Sequence, residues 1–207
     1  MKELLRSVVL LNRRSKEFED AQVFRELDQK NFDDFEKLWK PLLKARRDEF
    51  DTWEAAAEGD AQDSHWKWAK KAAEALASLG RDETYALECA GETQGLMLVK
   101  TSAFARLDVQ RGRDLVYIEL LATAPWNRPR LVKAEARYKG VGRVLVAEAI
   151  NLSHHLEFNG RLALHSLPQS ESWYRDIAKF TDLGYDEEKE MVYFEVTEAQ
   201  AAAFLAG

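Results

Sequence analysis

The residues best suited to chemistry are Arg137-Tyr138-Lys139-Gly140-Val141-Gly142-Arg143. Two glycines, one residue apart, let the backbone approach a ligand closely and adopt φ values that side chains resist. An apolar helical pattern, Val144–Leu152, follows at once. The free N–H groups of a first helical turn and the positive end of its dipole would therefore face the same spot. That combination suits an anion, phosphate above all. A G-x-G alone is common in loops. Its weight here comes from the β-type run Leu115–Ala124, stopped by Pro125, on its other side.

Charge points the same way. The chain carries a net charge of −6. Yet Arg128, Arg130, Lys133, Arg137, Lys139 and Arg143 stand between Pro125 and Arg143 against Glu135 alone. A basic island on an acidic protein fits a discrete anionic ligand. Bulk nucleic acid would be repelled by the remaining surface. The plainer reading is a solvated basic loop.

A chain of 207 residues reads as one domain, 1–207, with a core large enough to stand without staples. Cys89 is the lone cysteine, which rules out an intramolecular disulfide and fits a reducing compartment. Within Tyr85–Ala90 it reads as a packed thiol rather than a nucleophile. No apolar run reaches the ~18–20 residues that cross a bilayer. Val8–Leu11 is too short for a leader, and Asn12-Arg13-Arg14 follows it. These features read as a cytoplasmic protein with no membrane and no nucleic-acid partner.

The elements that would position the glycine turn fall in order. Residues 1–83 read as mainly helical after a short β run at Ser7–Leu11. Phe32, Phe35, Leu38, Trp39, Leu42 and Leu43 recur at helical spacing, with a kink or break at Pro41. Asp63 or Ser64 would cap a second helix carrying Trp66, Ala69, Ala73 and Leu76, with Gly80 as its stop. The tryptophans at 39, 53, 66 and 68 read as core packing rather than a ligand cage. From 84 the pattern turns to strands: Thr84–Ala90, Leu96–Ala105 and Asp114–Ala124, with turns at Gly91–Gly95 and Gln110–Arg113. A helix over about Gly142–Phe158, a strand Arg161–Leu167, a helix over about Ser170–Asp182, a strand Met191–Val196 and a closing helix Glu198–Leu205 complete an α/β arrangement. Strand, basic turn, helix and strand form a crossover that sets two strands parallel.

This order resembles the GNAT superfamily of N-acetyltransferases. Arg137-Tyr138-Lys139-Gly140-Val141-Gly142 matches that family's R/Q-x-x-G-x-G/A, Leu121–Pro125 matches the strand end before it, and Trp173-Tyr174 resembles its aromatic-tyrosine pair. The likeness covers residues 84–197. It implies an α/β fold of α+β character: a mixed, mainly antiparallel sheet, a splayed parallel pair (here Asp114–Ala124 and Arg161–Leu167) and a helical N-terminal part. Residues 84–197 would be the acetyl-CoA-binding core and 198–207 a tail helix. Three departures stand out. The loop Trp126–Ala136 is long for the family, Leu167 replaces a usual asparagine, and Phe180–Tyr185 offers an alternative match that would put Thr181 in the tyrosine position.

What the resemblance implies is acetyl transfer from acetyl-CoA to a primary amine of a small molecule or peptide, without a metal. Arg137, Tyr138, Lys139, Gly140, Val141, Gly142 and Arg143 would hold the diphosphate, and the backbone of Leu121, Ala122 and Thr123 the pantetheine arm. Glu119 is the candidate base. It interrupts an apolar strand, on one face with Tyr117, Leu121 and Thr123, and a carboxylate in a mostly buried strand needs a partner or a function. His165 is the alternative base. Tyr174 would protonate the departing thiolate, unless Thr181 holds that position. A catalytically inactive module that binds CoA or another anion is the competing reading, and a homodimer is compatible with the family pattern.

Overall fold

The first register is set by local chemistry at Asn12. In the computed structural model, which describes residues 2–207, strand β1 (Glu3–Asn12) pairs antiparallel with β2 (Phe18–Arg25), from Glu3↔Arg25 to Leu11↔Phe18. The Asn12 side-chain oxygen accepts from the N–H groups of Arg14 and Ser15, and Lys16 turns the chain with φ 62°. Strand β2 lies where the sequence predicts helix. Its Glu, Ala and Gln favour helices by only roughly tenths of a kcal/mol per residue. Alternate residues decide: Ala21 and Val23 are fully buried, while Asp20 and Gln22 are exposed. Partners on both sides therefore select the strand.

On the other side of β2 lies β3 (Asp82–Cys89), paired from Ala21↔Cys89 to Arg25↔Tyr85. Ala90 and Gly91, at φ 51° and 76°, turn β3 into β4 (Glu92–Phe104). Two consecutive left-handed residues make the tight hairpin. The turn is thus shorter than predicted, and Gly95 sits inside β4.

The chain's contacts group it into two compact units: the residues up to Leu98 with Leu120–Leu145, and Val99–Glu119 with Val146–Gly207. Strand β4, strand β5 (Asp114–Thr123) and the helix Val141–His155 each have residues in both units.

In the first unit, α1 (Gln29–Asp34), a π-helical turn at Phe35–Trp39 and α2 (Lys40–Arg47) follow without interruption. Asp28 caps α1 through a reciprocal box with Asn31. Pro41 does not break the helix, because the wide turn directly before it absorbs the missing N–H. Helix α3 (Trp68–Ala77) starts after Lys67 rather than after Asp63 or Ser64. Trp39 and Trp68 pack with Phe35, Leu43, Leu96 and Leu98 in one core cluster, as core residues rather than a cage. A short helix, α4 (Pro129–Val132), folds the long loop, and strand β6 (Tyr138–Lys139) pairs with β1 through Leu11↔Lys139 and Asn12↔Tyr138.

Helix α5 (Val141–His155) then leads to β7 (Leu162–Ser166). In the second unit β5 pairs parallel with β7 over Val116–Ile118 against Leu162–Leu164, where the ladder stops; β5 itself continues to Thr123. Strand β9 (Met191–Val196) pairs antiparallel with β7, and β8 (Thr181–Asp186) with β9. The helix predicted to reach Asp182 is shorter, ending in a π turn at Trp173–Ile177. Thr181, Asp182 and Tyr185 join β9 in a ladder that no local pattern announces. Helix α6 (Glu198–Ala206), capped by Thr197 with Gln200, closes the chain. Among the described residues, nine strands and six α-helices form a mixed α/β fold containing the expected parallel pair.

Candidate functional site

The glycine turn belongs wholly to the first unit. Its approach is held by backbone: Arg13 N–H donates to the Arg137 carbonyl at 2.9 Å and Arg137 N–H to the Trp126 carbonyl at 2.9 Å. Tyr138 N–H donates to the Asn127 side chain at 2.9 Å, and its buried hydroxyl donates to Glu19 at 2.6 Å. Tyr138 therefore anchors the turn. At Gly140 the chain takes φ 95°, a conformation L residues avoid, and reverses into α5. The bond that closes the first turn runs from Val144 N–H to the Gly140 carbonyl at 2.9 Å. The amides of Val141 and Gly142 precede it and have no carbonyl one turn back within the helix. A Cβ on Gly142 would meet only Thr123 Cγ2, at 3.8 Å. Thr123 and Gly142 are thus brought together, and the side of Gly142 on which a Cβ would stand is open.

Gly95, read in the sequence as part of a turn, has a different task. A Cβ there would lie 2.8 Å from Leu145 Cδ1 and 2.9 Å from Val141 Cγ1. The missing side chain lets the first turn of α5 settle on β4. An isolated glycine inside a strand pattern was the available signal.

The basic island is largely neutralised. Arg128 is buried, with both Asp63 oxygens 2.7 Å from its terminal nitrogens, the Asp60 carbonyl at 3.0 Å, and the Thr123 carbonyl 2.7 Å from Nε. Arg130 pairs with Asp60 at 2.7 Å, Lys133 with Glu49 at 2.9 Å, and Arg137 with Glu92 at 2.5 Å. At the turn itself Lys139 is exposed and Arg143 half-buried. Counting charges along the chain overstated the field, because the acids that answer them lie 45–84 residues away. Leu121 and Thr123 are half-buried and Ala122 buried.

The titratable cluster belongs to the second unit. Glu119, half-buried on β5, is ion-paired with Lys100 of β4. Tyr174 is buried in the π turn, its ring centroid 5.0 Å from Trp173, 5.7 Å from Phe194 and 5.9 Å from Phe180. Burial pushes its phenol well above the ordinary tyrosine range. Thr181, the alternative for that position, shares hydrogen bonds with Gln200 at 3.0 and 3.2 Å and is tied to α6. His165 sits between Tyr117, 2.7 Å from its Nδ1, and Asp186, 3.0 Å from its Nε2. Burial lowers the His165 pKa. The Arg106 guanidinium, then His165, holds Asp186 far below the usual carboxylate range. Glu195, which the sequence did not single out, is fully buried and accepts from the Arg106 and Leu107 amides at 2.7 and 3.0 Å and from Gln110 at 2.7 Å. Among the described residues no cluster of three His, Cys, Asp or Glu is disposed to hold a metal, and no helix is long and apolar enough to cross a membrane.

No protein-family model matches the chain, and no curated protein matches it in sequence. Solved structures match in fold. The PaiA N-acetyltransferase of Thermoplasma acidophilum, in complex with coenzyme A, aligns over 84% of this chain and 97% of its own, with TM-score 0.51 and 12% identity. RimJ of Mycobacterium smegmatis, in complex with CoA-disulfide, aligns over 97% and 92%, with TM-score 0.51 and 15% identity. A structure from Desulfovibrio desulfuricans assigned to the GNAT family of acetyltransferases aligns over 86% and 99%, with TM-score 0.49 and 15% identity. At these identities the likeness is one of fold: the chain shares the fold of the PaiA and RimJ structures.

Proposed function

We propose that the protein is an acetyl-CoA-dependent N-acetyltransferase acting on a primary amine of a small molecule or peptide. The observation that carries this is the turn at Gly140–Gly142. Left-handed backbone, helix amides without carbonyl partners one turn back, and space a Cβ would enter are what a diphosphate needs. Two proteins that share the fold hold coenzyme A or its disulfide. The residues present fit the group.

When bound, acetyl-CoA supplies a thioester open to attack by an amine. The amides at Gly140–Gly142 hold the diphosphate, with Arg137 and Tyr138 bracing the turn and Lys139 and Arg143 adding charge. Backbone of Leu121, Ala122 and Thr123 orients the pantetheine arm. The Thr123 carbonyl already accepts from Arg128, so Thr123 contributes its N–H. An alkylammonium must shed a proton before it can attack. Glu119, or His165 in its place, serves that step. Tyr174 keeps its phenolic proton across the working pH range and holds it for the departing sulfur. The single buried thiol, Cys89, suits a reducing cytoplasm.

One observation favours a second reading, a CoA-binding module without turnover. Tyr174 is enclosed by aromatic rings, and Glu119 is engaged by Lys100. A panel of amines assayed for acetyl-CoA-dependent thiol release separates the two. Release with at least one amine class supports the enzyme. A melting-temperature rise with acetyl-CoA but no release from any amine supports the module. No rise at millimolar acetyl-CoA overturns both.

A further inference from the structure

Three titratable side chains of the second unit stand in line: Tyr117 on β5, His165 on β7 and Asp186 on β8. The Tyr117 hydroxyl is 2.7 Å from His165 Nδ1, and His165 Nε2 is 3.0 Å from Asp186 Oδ2. Their chemistry fixes the direction of each bond. An ionised carboxylate only accepts, so Nε2 carries the hydrogen, and Nδ1 is left to accept from the Tyr117 hydroxyl. The imidazole side chain is 2% exposed and that of Asp186 16%, so the line is closed in its middle and meets water at Asp186. Tyr193 of β9 packs on the imidazole at 4.8 Å. Arg106 anchors Asp186 at 2.6 Å, Lys189 adds a distant positive charge, and the buried Glu195 is engaged by Arg106, Leu107 and Gln110. Asp186 is therefore the carboxylate bonded to the imidazole. Such a line costs desolvation that an apolar set of the same volume would avoid.

Tyr117 shares a face of β5 with Glu119, about 7 Å along the strand. Burial pushes its phenol up to about 12, so it stays protonated and always presents a lone pair. We propose that Tyr117 takes the proton of the acceptor amine while passing its own to His165, with Asp186 holding the imidazole in the receiving tautomer. The inference rests on the N-acetyltransferase reading and deepens it: Glu119 attracts the cationic amine, and the proton leaves by way of Tyr117. The step balances. One amine N–H bond breaks as a new Tyr117 O–H bond forms; the original Tyr117 O–H bond breaks as a His165 Nδ1–H bond forms. The positive charge moves from the amine to an imidazolium held between a neutral phenol and a carboxylate. After the product leaves, the imidazolium returns its Nδ1 proton through Tyr117 to water in the emptied acceptor site, which restores hydrogen on Nε2 and none on Nδ1. Tyr117 is the catalytic residue of the line; His165 and Asp186 act through it.

The test compares wild type with Tyr117→Phe, His165→Asn and Asp186→Asn, using the best amine of the panel. Each protein is measured for its acetyl-CoA melting shift and for kcat/KM as a function of pH. Tyr117→Phe should keep the melting shift and lose about 10²–10⁴-fold in kcat/KM. His165→Asn should abolish the acid limb of the wild-type profile. Asp186→Asn should move that limb to lower pH, because the carboxylate that favours the imidazolium is gone. Nitrogen-15 spectra of the wild type should show hydrogen on Nε2 and none on Nδ1 at neutral pH. A Tyr117→Phe protein with wild-type kcat/KM, or spectra with hydrogen on Nδ1, overturns the relay alone. A wild-type melting point that acetyl-CoA does not move overturns the functional reading and the relay with it.

Discussion

Arg128 and Thr123 are joined by a 2.7 Å bond from the guanidinium Nε to the backbone carbonyl at the end of β5. The same guanidinium is bidentate to Asp63, and both side chains are under 10% exposed. A residue that reads as one charge of a phosphate site is therefore a clamp. It ties residues 60–63 to the strand end from which the pantetheine contacts are proposed to come.

Breaking that clamp should be costly. Arg128→Ala or Asp63→Ala leaves an uncompensated buried charge, at about 3–5 kcal/mol. Replacing both with apolar residues of similar volume should recover most of the loss. Denaturant unfolding of the singles and the double measures this, and additive losses would contradict it.

The three glycines around the turn should respond differently. Gly142→Ala should leave the melting temperature nearly unchanged, since its Cβ meets only Thr123 Cγ2 at 3.8 Å, yet weaken acetyl-CoA binding at least tenfold. Gly140→Ala should cost roughly 1–2 kcal/mol through its positive φ. Gly95→Val should cost roughly 1–3 kcal/mol by forcing the start of α5 off β4. Calorimetric unfolding and coenzyme titration distinguish the three.

Tyr174→Phe removes one hydroxyl from an aromatic cluster. Turnover should fall while coenzyme affinity holds. Full activity in the variant would move the acid role away from this residue.

Acid should loosen the second unit. The pKa of Asp186 is depressed in the folded protein, so its contribution is present above the unfolded value near 3.8 and is lost as pH falls below it. His165 is also depressed; its neutral form is favoured by folding, and that contribution fades as pH drops below 6.5. The melting temperature should therefore decline from pH 6.5 downward. His165→Asn should flatten the first part of the decline and Asp186→Asn the last. Melting curves across pH 3–7 check the sign.

Much was legible along the chain because it rests on local rules. The run Arg137–Arg143 between a strand pattern and a helix pattern is turn chemistry and capping in sequence order, and the structure puts the left-handed glycine and the helix start there. The α5–β7 crossover and the closing helix α6 are read from the pattern of residues, while the Thr197 cap of α6 is a finding of the structure. Other features needed the fold. Strand β2 exists because β1 and β3 pair with both its edges and because the face carrying Ala21 and Val23 is buried, against the propensity of its own residues. Thr181–Asp186 is a strand because β9 offers it a ladder. The island of six cations becomes mostly ion pairs because Asp60, Asp63, Glu49 and Glu92 come to it from distant positions. The line from Tyr117 to His165 to Asp186 spans 69 positions in the numbering and three strands. Hydrogen bonds between strands depend on register, and register is decided by which faces a sheet buries. That information is carried by no single stretch of sequence.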